Sequence, residues 1–158
     1  SQMNRKDLLI MQLKSIFLTL VLLLSSGHLS AQEKTYTLQD INIRDPFILP
    51  VEKEGMYYMY ASSSVRENGQ HYGGMVAYKS ADLKTWQGPV RVFDVPRDNY
   101  LTGTVWAPEV HKYKGAYYMF ATFTRKSNGL RGTFALRSDS PLGPFVPHSK
   151  KQLTPSQE

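Results

Sequence analysis

Gly55-Met56-Tyr57-Tyr58-Met59-Tyr60-Ala61 returns as Gly115-Ala116-Tyr117-Tyr118-Met119-Phe120-Ala121, sixty positions later. Asn68-Gly69 returns as Asn128-Gly129 at the same offset, and Ala77-Tyr78-Lys79-Ser80 is answered by Ala135-Leu136-Arg137-Ser138 at an offset of 58. Blocks matched in one order define a tandem repeat. The heptapeptides are apolar without alternation, which predicts strands covered on both faces. Asn-Gly favours the primed turns of a tight hairpin. Each unit then reads as an opening strand (44–49 and 104–111), a second (57–63 and 117–124) and a third (74–80 and 132–138). A short outer strand near Trp86 or Phe145 completes each one. Past residue 32 there is no helical periodicity, so the fold class is all-β. Four-stranded units at long spacing predict β-propeller blades, each sheet sandwiched between two neighbours. A β-sandwich with a chance duplication is the alternative.

Length and composition narrow this further. The 158 residues are 41% hydrophobic, 12% aromatic and 20% charged, the make-up of one ordinary globular domain. There is no Cys, which excludes a disulfide framework, a thiolate metal site and a Cys nucleophile. A propeller needs about four blades to close, and this chain supplies two. Burying one large apolar side chain is worth roughly 1.5–3 kcal/mol, so two open blades would leave many such increments unrealised. The expectation is the front part of a longer protein, poorly folded when taken alone.

Residues 1–31 read differently. Arg5, Lys6 and Lys14 precede the apolar run Ile16–Leu24, and a small-residue exit ends at Leu29-Ser30-Ala31-Gln32. That pattern predicts a secretory signal peptide cleaved after Ala31, with translation starting at Met3 or Met11. The run is too short for a spanning helix of about 20 apolar residues. The domain reading is thus a leader over 1–31 and a catalytic-domain fragment over 32–158, secreted or periplasmic, with no membrane span once the leader is gone. The mature part keeps 16 basic against 12 acidic residues, a charge of +4. These charges form no run longer than a pair, which argues against nucleic acid as a partner.

Chemistry is expected where the innermost strands open. The first unit begins Ile43-Arg44-Asp45-Pro46-Phe47-Ile48; the second has Val105-Trp106-Ala107-Pro108-Glu109-Val110-His111. Innermost strands line a propeller's axis, so Asp45 is placed to act as a general base. The Trp106 indole offers a flat apolar face for a sugar ring. Each has a plainer reading: Asp-Pro is a common turn arrangement, and a tryptophan such as Trp106 is more often core than ligand platform. Glu109 is expected to pair with Lys112, and His71 and His111 to be surface or packing residues. In Ser80-Ala81-Asp82-Leu83-Lys84-Thr85-Trp86, Asp82 reads as a turn cap and Trp86 as a packing anchor. Nothing points to a phosphate loop or a metal site.

The Ile43-Arg44-Asp45-Pro46-Phe47 opening, the Tyr-Tyr-Met-Tyr strand, the Ser80–Trp86 stretch and Trp106-Ala107-Pro108-Glu109-Val110 together resemble glycoside hydrolase family 43. The resemblance runs from about residue 38 to 148. It implies a five-bladed β-propeller that hydrolyses arabinose- and xylose-containing glycans with inversion. It assigns Asp45 as the general base, with Trp106 and Phe47 shaping the sugar subsite. The family's further carboxylates, an Asp that orients substrate and tunes the acid and a Glu that is the acid, have no counterpart here. Glu109 belongs to the Trp-Ala-Pro motif and is not that acid. Inverting hydrolysis sets acid and base roughly 6.5–9.5 Å apart around a water, so this chain alone is expected to be inactive. No cofactor is called for; a structural calcium ion in the full-length protein is left open. The rival functions are a non-catalytic carbohydrate-binding propeller and a structural or interaction propeller.

Overall fold

The fold is described by a computed structural model for residues 4, 34–96 and 101–154, with backbone alone at 101–104. The leader expected over 1–31 lies outside these residues. All described strands belong to one unit that begins at Lys34. They are β1 (Thr35–Thr37), β2 (Phe47–Val51), β3 (Met56–Glu67), β4 (Gln70–Ser80), β5 (Thr85–Asp94), β6 (Leu101–Tyr113), β7 (Ala116–Arg125), β8 (Arg131–Ser138) and β9 (Val146–Pro147). They form two antiparallel sheets, ordered β1-β5-β4-β3-β2 and β6-β7-β8-β9. The repeat read from the sequence is therefore a repeat of meanders: β3 and β7 are matched, as are β4 and β8.

The sheets pack face to face, and the heptapeptides show how. Tyr58 and Tyr60 of β3 point toward the second sheet and share a core with Tyr117, Met119, Ala121 and Phe123 of β7. Met59 and Ala61 point the other way, into a cluster with Val76, Tyr78 and Trp86. Both faces of β3 are covered, as the lack of alternation requires. Between the sheets, Phe123 meets Phe93 and Phe134 edge-on at 5.9 and 5.5 Å, a favoured aromatic geometry. The buried Tyr60 hydroxyl donates to the Pro141 carbonyl at 2.7 Å and is pushed well above the usual phenol range by burial.

The first sheet has one strand more than expected. β1 pairs with the outer strand β5, and Tyr36 lies edge-on against Tyr78 at 6.1 Å. A capping box then turns the chain: Asp40 accepts from the Thr37 amide at 2.8 Å and from its hydroxyl at 2.7 Å. Ile41 and Ile43 follow and pack on the Trp86 cluster.

The two Asn-Gly dipeptides build different turns. Asn68 and Gly69 have φ of 50° and 78° between Glu67 and Gln70, a two-residue hairpin turn of the expected kind. Asn128 and Gly129 sit in a longer loop over 126–130. There the Asn128 side chain accepts from the Leu130 amide at 3.1 Å and the Gly129 amide donates to the Arg125 carbonyl. Asp82 behaves as a turn cap, its carboxylate accepting from the Lys84 and Thr85 amides at 2.8 Å. Trp86 is fully buried, as an anchor should be.

Candidate active site

The β3–β4 hairpin is longer than the strand beside it. Pairing of β2 with β3 ends at Phe47–Tyr60, whereas β3 runs on to Glu67. This overhang stands next to the chain entering β2. Together they enclose a cavity of about 600 Å³ whose wall includes Asn42, Ile43, Arg44 and Asp45 on one side. Ser62, Ser63 and Ser64 of β3 and His71 of β4 line another side, and Val105 and Trp106 of β6 close it from the second sheet.

Asp45 is exposed and holds φ of 46°, in the left-handed region, immediately before Pro46. Both facts are unfavourable for an ordinary residue: L-residues resist that region, and a following proline disfavours helical backbone. Ala107 repeats the feature with φ of 47° before Pro108. The two entry strands thus share a kink at equivalent places. In the first unit the kinked residue bears a carboxylate on the cavity; in the second it bears a methyl group. Asp45 is the one carboxylate among the lining residues.

Trp106 lines the same cavity, so the sequence-selected base and platform are brought together. Phe47 is placed otherwise. It is half-buried against the inter-sheet core, with its ring 5.8 Å from the His111 ring, and it is not among the lining residues. Glu109 pairs with His111 at 2.7 Å, not with Lys112. Positions 109 and 111 share a side of the strand by its two-residue period, and 112 does not. Lys112 instead stands 5.0 Å over the Tyr117 ring, and its pKa is raised chiefly by hydrogen bonding to Tyr117.

His71 is a correction to the sequence reading, being part of the cavity wall rather than mere surface. Asn42, Arg44 and the three serines were also missed as site residues. One signal was available: a two-residue turn at Asn68-Gly69 fixes the pairing around it, setting His71 opposite Arg66 and Ser64 opposite Gly73. Among the described residues no three His, Asp or Glu side chains gather as a metal site.

The profile of Glycosyl hydrolases family 43 matches residues 39–158. The solved endo-arabinase from Bacteroides thetaiotaomicron VPI-5482 is 40% identical, with a TM-score of 0.61 over 76% of this chain and 39% of that one. A thermostable family-43 glycoside hydrolase is 29% identical, with a TM-score of 0.58 over 72% of this chain and 35% of that one. A family-43 β-xylosidase/α-arabinofuranosidase from a compost microbial metagenome shares the fold at 23% identity, with a TM-score of 0.57 over 75% of this chain and 38% of that one. No curated protein matches the chain. The all-β blades and these likenesses agree on one family. The chain belongs to glycosyl hydrolase family 43, and its two sheets are blades of that family's β-propeller. It spans about two fifths of the length of the solved structures it matches.

Proposed function

We propose that these residues supply the general-base half of an inverting glycosidase acting on arabinose- and xylose-containing polysaccharides or oligosaccharides. The observation that carries this is the kinked Asp45 presenting its carboxylate to a cavity that Trp106 also lines. In this reading Asp45 takes the proton from the attacking water and the Trp106 indole receives a sugar ring. Ser62, Ser64 and His71 supply hydroxyl and imidazole partners for sugar hydroxyls. Phe47 contributes from behind, fixing the start of β2 through its packing. Export by cleavage after Ala31, to the periplasm or beyond, belongs to the same proposal; N-terminal sequencing of the secreted protein checks it.

A general acid must stand roughly 6.5–9.5 Å from the base, across the scissile bond. Among the described residues the cavity offers Asp45 alone. The present chain is therefore expected to release nothing from aryl α-L-arabinofuranosides or β-D-xylosides. In a protein that also carries the remaining span of the matched structures, Asp45→Asn is expected to lower kcat by about 10²–10⁴-fold with little change in KM. Turnover by the present chain that disappears in Asp45→Asn would show that a second carboxylate is unnecessary. Undiminished turnover by the longer Asp45→Asn protein would remove Asp45 from the base role.

A further inference from the structure

Trp106 and Arg131 lie on different strands, yet register brings them together. Trp106 of β6 pairs with Thr122 of β7, and Arg131 of β8 pairs with Thr124. Paired residues of an antiparallel ladder share a face, and 122 and 124 are two apart, so all four side chains leave the same face of the sheet. The two threonines between them are short. Arg131 reaches across, and its guanidinium carbon stands 4.9 Å from the indole centroid. That is within the range of an attractive cation–π contact. No described carboxylate pairs with Arg131, so the ring is its partner. Arg131 does not line the cavity, whereas Trp106 does. The guanidinium thus stands outside the cavity wall, against a ring that forms part of it.

We infer that Arg131 is a positioning residue for sugar binding. It fixes the rotamer of Trp106 and occupies one face of the ring, leaving the opposite face for a pentose. This rests on the reading of Trp106 as the sugar platform. A planar guanidinium suits the task better than an ammonium, because it stacks on the ring as a plate. A free indole beside the backbone kink at Ala107 would otherwise sample several rotamers and pay for ordering on binding.

The experiment is ¹⁹F NMR of a protein that also carries the remaining span of the matched structures, labelled with 5-fluorotryptophan and titrated with arabinotriose and with xylotriose. Trp86 is fully buried, and the signal lost in Trp106→Phe is that of Trp106. Arg131→Gln is expected to shift and broaden the Trp106 signal without moving that of Trp86, and to weaken sugar binding by about two- to fivefold. Arg131→Lys should recover part of that affinity, since a cation remains over the ring. A Trp106 signal and an affinity both unchanged in Arg131→Gln would overturn the inference. Should the unsubstituted protein show no sugar-dependent change at Trp106, the platform reading itself falls. The sugar-free spectra would still show whether the guanidinium holds the ring.

Discussion

Asp45 is held in a conformation that most side chains resist. Its φ of 46° is matched by the 47° of Ala107, so the kink belongs to the repeat and was not introduced by the carboxylate. Asp and Asn tolerate the left-handed region because their short polar side chains can bond locally. β-branched residues do not. Asp45→Asn is therefore expected to leave urea-unfolding stability within about 0.5 kcal/mol. Asp45→Val should cost about 1–3 kcal/mol from backbone strain alone. Equal stabilities for the two variants would show that the kink does not constrain residue 45. Asp45 and Trp106, which both line the cavity, were legible from the openings of the two units. His71 and Ser62–Ser64 were not, because they reach the cavity through a hairpin overhang whose length depends on where β2 stops pairing. Arg131 was further from view: its contact crosses β7 and needs the register of both ladders.

At the scale of single elements, local chemistry decided most of the fold. The Ser80–Thr85 turn shows why it was readable. The Asp82 carboxylate accepts two main-chain amides, and the Ser80 hydroxyl accepts the Asp82 and Leu83 amides at 3.2 and 2.9 Å. These bonds favour the ionised carboxylate, so the Asp82 pKa lies below its usual 3.8, chiefly through the Thr85 and then the Lys84 amide. A depressed folded-state pKa contributes stability that is present above about pH 4 and lost as pH falls through the folded value. Asp82→Ala is expected to lower stability at neutral pH and to flatten the loss of stability below pH 4, as measured by urea unfolding from pH 7 to pH 2. An unaltered acid limb would contradict the capping role. The second Asn-Gly shows where local reading stops: the dipeptide is the same, but the side-chain bond from Asn128 stabilises a wider loop. β1 carried no signal of its own, since its pairing with β5 is made across about fifty residues of chain.

Across the whole molecule, the repeat explains both the packing and the site. Tyr58 and Tyr60 of the first sheet bury against Met119 and Ala121 of the second. Their counterparts Tyr118 and Phe120 lie half-buried on the second sheet's far side. One heptapeptide thus serves both faces of a blade, and stacking blades in one direction brings each entry strand to the same side. Asp45 and Trp106 meet at one cavity for that reason, although they are far apart in sequence. The central claim is that this cavity is a sugar site. Heteronuclear NMR of a protein that also carries the remaining span of the matched structures, titrated with arabinotriose and xylotriose, tests it most directly. The account predicts saturable shifts at Arg44, Asp45, Ser62–Ser64, His71 and the Trp106 indole, with the Asp82 turn unmoved. Shifts confined to residues away from this wall, or none at saturating sugar, would contradict it.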